Sequence, residues 1–441
     1  MCPAFRREIL MKAVGEMRKV FTVLLVLFPF LNQFGLPVQV PVLTSHFSIG
    51  YLVLLPFALL WCLLKIPTEG LFRVKTYGYS GYLFFLLLAG FSAVMARRSS
   101  FYAGDGKLLD LGVMILFWLI VLYAARDVFN VRFGMTVYSA LAVIFSAYFI
   151  LQFVVYAIKG IYLPTIYRDF YVFGGEYVDA FRATGTPTSL FVSTRDYALF
   201  CLPAVAYLLL WDRIGFNGME FISAVVVSAG LVMTKSVPVI VALSFLWFFY
   251  ILFIFVYFIV HPYDGMYRFT HQRPSRIVLQ IVFPLLVVAG GSAVLLTGNR
   301  AAKLIDRIFA MVRDPALTAG FEAAGKAGNH GGFISLFGCG VGNVKNYLET
   351  YGVTAPAKMS SVGYVFLSVG FFGLILYLGS LFSLLSTRKG KFGFSMMALT
   401  LFTAVFGNLV FNDITVFWIL LALVANDNGE MSFHKFLRLR T

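Results

Sequence analysis

The chain has 441 residues, of which 60% are hydrophobic, 17% aromatic and only 12% charged, and its mean hydropathy is +0.87. An ordinary soluble domain carries about 25% charged residues, so the composition excludes a soluble globular enzyme, a disordered chain and a secreted disulfide scaffold. The net charge of +15 is distributed between apolar runs long enough to cross a bilayer, which directs it toward anionic lipid and phosphate-bearing substrates and away from nucleic acid.

The pattern predicts an all-α polytopic membrane protein, a single integral domain over 1–441, with about twelve transmembrane helices. In chain order the spans fall near 17–35, 46–64, 78–96, 108–125, 133–158, 197–212, 218–234, 236–260, 277–298, 361–386, 393–412 and 413–427. Met1 to Lys19 is a basic stretch with no small-residue cleavage site after it, so an uncleaved first span is expected. Pro29, Pro56, Pro203, Pro238 and Pro284 sit inside spans, where neighbouring helices accommodate the kinks. Cys2, Cys62, Cys201 and Cys339 are scattered, without CxxC or metal-ligand spacing, and imply no disulfide.

Orientation follows from Lys and Arg in the loops. With the N-terminus cytoplasmic, that side carries 20 of the 35 basic residues, against four in short outer connections (Arg97, Arg98, Lys107 and Lys235) and eleven in two long loops. Both termini are therefore expected inside, and both long loops, 159–196 and 299–360, in the periplasm. Loops of such length are functional or disordered, and aromatic residues such as Tyr162, Phe170, Phe309 and Phe333 argue for packed structure.

The loops hold the residues suited to chemistry. Arginine presents a rigid fork of donors that fits phosphate oxygens, and the second loop carries Arg307, Arg313 and Lys326; such charges also serve as solvated surface or headgroup anchors. Glu176 and Asp179, three apart, would share a face if this stretch is helical and fit a base or sugar contacts, or else balance Arg168 and Arg182. His330, with an unperturbed pKa of about 6.5, suits a general base, although a lone loop histidine is often a surface residue. Gly338, Gly340 and Gly342, in the segment Gly-Cys-Gly-Val-Gly-Asn, form either a tight turn that needs positive φ or a backbone nest for an anion. A dinucleotide site would need a strand before it and a nucleotide-bearing compartment. There is no HExxH, DxD or His/Cys cluster, so neither metal nor cofactor is expected.

Three local patterns, in order, carry a resemblance: Arg182-Ala-Thr-Gly185 ending the first loop, Phe337-Gly-Cys-Gly-Val-Gly-Asn343 in the second, and Ser360-Ser-Val-Gly-Tyr364 running on through Val365 to Tyr377. Together with the span count and loop placement, the chain resembles the O-antigen polymerase and ligase superfamily, the Wzy-type polymerases with the WaaL-type ligases as cousins. Ligases place a His-Asn pair where this chain has Ser360 and Ser361, which moves the resemblance toward the polymerases. The family's Ser-Arg before the second loop is replaced by Lys235-Ser236. The resemblance implies a membrane glycosyltransferase of the bacterial inner membrane in lipopolysaccharide biosynthesis. Its donor and acceptor would be glycans on undecaprenyl pyrophosphate, a chain-length regulator protein is an expected partner, and no nucleic acid is involved. Arg182 would be the leading pyrophosphate contact, joined by Lys235. Ligation of polymer to lipid A-core is the nearest alternative; a twelve-span flippase or transporter is another, although no six-plus-six repeat is visible.

The topology is directly testable. Alkaline phosphatase fused after Tyr177 or after Asn329 is expected to be active, and fused after Gly390 inactive; activity at Gly390 would overturn the assignment.

Overall fold

The computed structural model describes residues 3–34, 48–69, 77–163, 186–211, 218–260, 316–327, 332–354, 359–386, 390–406 and 410–427. Among them the protein is helical, with no strand: α1 (Pro3–Leu31), α2 (Ile49–Glu69), α3 (Tyr77–Met95), α4 (Asp105–Val128), α5 (Val131–Lys159), α6 (Thr194–Leu210), α7 (Gly218–Met233), α8 (Val237–Val260), α9 (Ala316–Ala327), α10 (Gly332–Phe337), α11 (Val344–Thr350), α12 (Ser361–Phe382), α13 (Gly390–Phe406) and α14 (Asp413–Asp427). Helices occupy every expected span except that at 277–298, which lies outside the described residues. Five of them, over Ser80–Arg98, Leu108–Arg126, Val131–Lys159, Val237–Val256 and Ser361–Phe382, are long and apolar enough to cross a membrane. Large apolar side chains such as Phe84, Leu116, Ile144, Phe255 and Ile375 face outward from these helices, a display that a multi-pass membrane protein turns toward lipid.

Local chemistry sets several boundaries. Asn130 caps α5 by accepting from the Phe133 amide, and Gly160 ends that helix in the left-handed conformation, as C-terminal glycines commonly do. Ser193 caps α6 by accepting from Asp196. Ser360 caps α12 by accepting from Gly363.

Two helices form the centre. Every side chain from Tyr197 to Leu210 of α6 is buried, and so is every one from Ile414 to Val424 of α14; helices that are apolar all round belong inside. Pro203 leaves the carbonyl of Leu199 without its helical donor. Trp418 of α14 fills that role, its Nε1 donating to the Leu199 oxygen at 2.7 Å.

The same device recurs on α12, which packs against α3, α9, α10 and α13. Gly370 breaks this helix (φ 80, ψ −172) and frees carbonyls on its N-terminal side. The glycine-rich turn supplies the missing donors: the Cys339 amide donates to Leu367 O at 2.8 Å and the Gly340 amide to Ser368 O at 2.9 Å. Ser92 of α3 adds its hydroxyl to Ser368 O at 2.8 Å.

Gly370 must therefore remain glycine. A Cβ there would overlap the Leu336 carbonyl, and a backbone of positive φ with extended ψ, a region kept almost entirely to glycine, itself costs about 1–3 kcal/mol. Gly370→Ala is expected to lower the yield of monodisperse protein and its midpoint of thermal aggregation by several degrees, whereas Gly379→Ala, where a Cβ meets open space, leaves both unchanged.

Candidate functional site

The described part of the second long loop, α9 to α11, forms a cap on the end of the bundle where α12 begins. Gly320 of α9 lies against Gly363 of α12 so closely that a Cβ on Gly320 would stand 2.7 Å from the Gly363 Cα; the absence of side chains lets the two backbones touch. The cap has its own small core of Ala96, Phe101, Ala323, Cys339, Val344, Tyr347, Leu348 and Leu367. Asn343 ties it to the α3–α4 connection, its Oδ1 accepting from the Ala103 amide at 2.8 Å while its Nδ2 donates to Cys339 O at 3.3 Å. Burial pushes the Cys339 thiol up to about 12, so it stays protonated and is not a nucleophile near neutral pH.

Gly338, Gly340 and Gly342 all adopt positive φ (78°, 88° and 84°), the conformation their composition allows at least cost. Their amides are occupied within the protein. Gly338 donates to Ile334 O and Gly340 to Ser368 O, and Gly342 donates to the Tyr364 hydroxyl. Of the two readings of this segment, the tight turn is therefore the one its geometry supports, and these amides are not directed at an anion.

Of the charged candidates, Lys326 is exposed on the last turn of α9. Lys235 is exposed between α7 and α8 with a left-handed backbone (φ 56), and its ammonium lies 5.6 Å from the centre of the Phe153 ring. His330, Glu176, Asp179, Arg182, Arg307 and Arg313 lie outside the described residues. No group of three or more His, Cys, Asp or Glu suited to a metal occurs among the described residues. Between α9, α10, α11 and α12 lies a cavity of about 300 Å³, lined by Phe321, Gly325, Ile334, Ser335, Tyr347, Phe366 and Leu367.

A second polar centre was not foreseen from the sequence. The carboxylate of Asp413, at the start of α14, accepts from three helices. Tyr51 donates its hydroxyl at 2.9 Å, Trp118 its indole N–H at 2.8 Å and Asn32, at the end of α1, its amide at 2.8 Å. Ser48 in turn donates to Asn32 Oδ1. Trp118 stands midway along α4, whereas its partners stand at helix ends. Likewise Ser189, in the loop leading to α6, bonds through its hydroxyl to Phe145 O, midway along α5, and through its amide to Gln152 Oε1. The end of α1 and the starts of α2, α6 and α14 thus stop level with the middle of α4 and α5. An ionisable side chain at such depth is expensive and marks function in membrane proteins more often than not.

No protein-family profile and no curated protein sequence matches the chain.

The Asp413 centre generates a stability test. Truncation leaves the hydroxyl of Tyr51 and the indole N–H of the fully buried Trp118 without an acceptor, at about 1–3 kcal/mol for each buried group. Asp413→Ala is expected to lower the thermal midpoint clearly in detergent, and Asp413→Asn, which keeps one acceptor, to lower it less. Equal stability of Asp413→Ala and the parent would show that the network holds nothing together.

Proposed function

We propose that the protein polymerises lipid-linked oligosaccharide repeats, of O-antigen or a related surface polysaccharide, at the periplasmic face of a bacterial inner membrane. A growing glycan is transferred from undecaprenyl pyrophosphate to the incoming lipid-linked unit. The acceptor hydroxyl oxygen forms a bond to the anomeric carbon, the bond from that carbon to the pyrophosphate oxygen breaks, and the pyrophosphate departs with the electron pair. The hydroxyl proton passes to a base, for which His330, Glu176 and Asp179 are the candidates. Arg182, Arg307 and Arg313 are assigned to the pyrophosphate, whose developing charge their fixed donors stabilise without nucleotide hydrolysis; Lys235 and Lys326 contribute as point charges.

One observation carries this reading. Two of the three segments that bear the family resemblance, Phe337–Asn343 and Ser360–Tyr377, pack into a single unit in which each supplies what the other lacks. The break at Gly370 frees carbonyls, and the glycine turn brings amides to them. A shared pair of motifs that is one structural device is harder to match by chance than two unrelated strings of small residues. Transport is the second reading, and the depth of Asp413 among converging helix ends favours it.

Deletion of the gene separates these readings. Loss of polymerisation leaves surface polysaccharide capped with a single repeat, loss of a ligase leaves none attached, and loss of a flippase traps lipid-linked units on the inner leaflet. In a complemented strain, Arg182→Lys is expected to shorten chains because it keeps the charge but loses the fork, and His330→Ala to reduce the rate about 10²–10⁴-fold if the imidazole is the base. Full chain length in a normally expressed Arg182→Ala strain would remove Arg182 from the site.

A further inference from the structure

The cavity in the cap combines aromatic rings with hydroxyl-bearing side chains. Its wall is aromatic: Phe321 and Phe366 sit with ring centroids 5.3 Å apart and tilted by 35°, and Tyr347 closes a further side, fixed by an edge-on contact with Phe101 at 5.2 Å. Phe321 is 41% exposed, unusual for a phenylalanine in a packed cap. Ser335 stands exposed on the rim, and the glycine at 325 adds open space, since a Cβ there would meet nothing within 4 Å. At about 300 Å³ the cavity is at the lower end of the range for small-molecule pockets.

We infer that this cavity is a subsite for a sugar ring of the glycan substrate, which rests on the polymerase reading above and adds the place where the saccharide is held. The weakly positive C–H face of a pyranose complements the negative faces of aromatic rings, and hydroxyls at the rim exchange hydrogen bonds with the sugar's own. A polyprenyl chain fits poorly: it is longer than the cavity and leaves the hydroxyl groups facing hydrocarbon, at a cost. A bare phosphate finds no arginine or lysine among the described residues of the wall; Lys326 follows the lining residue Gly325 on the last turn of α9 but is not itself part of the lining. The cavity lies on the rigid side of the cap, since Leu367 in its wall also accepts the Cys339 amide. The aromatic faces are thereby held in place before a ligand arrives, which reduces the ordering cost of binding. The connection that carries His330 joins α9 to α10, the two helices that contribute Phe321, Gly325, Ile334 and Ser335.

The test uses the full-length protein in proteoliposomes, with Ser335→Cys as a reporter and Cys2→Ser to remove background; Cys62, Cys201 and Cys339 are buried. A membrane-impermeant maleimide labels position 335. Lipid-linked repeat units extracted from the deletion strain are expected to slow labelling about tenfold at ten times their Kd, by simple occupancy, while undecaprenyl pyrophosphate without sugar leaves the rate unchanged. Equal protection by the sugar-free lipid would show that the cavity takes lipid or phosphate, and overturns the inference. So does absence of protection in a preparation that elongates polymer. Both results leave the polymerase reading standing, whereas a wild-type preparation that never elongates supplied units removes that reading itself. Phe321→Leu provides an independent measure: loss of the ring face is expected to raise KM for the lipid-linked unit roughly two- to tenfold with kcat retained, and Phe321→Tyr to restore it. A KM unchanged in Phe321→Leu would overturn the subsite.

Discussion

A backbone carbonyl inside a bilayer has no water to bond, so any break in a membrane helix must be matched by a donor from elsewhere in the protein. Much of this architecture follows from that constraint. Gly370 interrupts α12, and the amides of Cys339 and Gly340 are brought down from the second loop to meet the carbonyls on its N-terminal side. Because those amides must reach the helix, α10 lies against α12, the turn after it takes positive φ at three glycines, and the loop becomes a cap with a core of its own. Pro203 and Trp418 repeat the exchange at the centre of the bundle. The matched breaks are what fix the relative depth of the elements.

The consequence for function lies in where the polar groups end up. A bundle of uninterrupted spans would offer a substrate only its loops. Here α1, α2, α6 and α14 stop part-way along their neighbours, so that Asn32, Tyr51 and Asp413 meet Trp118 at the level of mid-α4. Above α12 the cap adds an aromatic cavity bounded by short helices that are rigidly joined to the membrane part. Two environments result, one polar and deep, the other aromatic and at the outer rim expected for the cap. Of the two, the aromatic one suits the sugars of the proposed substrate, whereas a centre built on a carboxylate does not attract its pyrophosphate, which is assigned to the loop arginines.

Stability and specificity pull on different residues in such a scheme. Gly338 and Gly370 are fixed by close approach of backbone to backbone, and Gly340 by the side chains of Asn343 and Ala96, so that an added side chain has no room. Phe321 and Ser335, by contrast, are exposed at the rim and contribute little to the cap's core, so they are free to follow the chemistry of a ligand. Asp413 belongs to the first group, because it holds three helices together.

By itself the sequence determined the multi-pass membrane character, the helical class and the positions of most apolar helices, because apolar runs of bilayer length admit few other structures. It also marked the glycine turn and the start of α12, since positive φ and helix capping leave residue-level signatures. It left open whether the turn's amides served an anion or the protein, and only the packing against Leu367 and Ser368 decided that. The Asp413 centre was out of reach for a different reason. An aspartate between two apolar runs is a visible anomaly, but its donors come from positions 32, 51 and 118, and no periodicity links residues that far apart in the chain. The aromatic cavity has the same origin, with Phe321 on one helix and Phe366 on another. Spans and turns are decided by neighbours in sequence; a site is decided by which helix ends reach the same depth, and that depends on how the whole bundle satisfies its broken backbones.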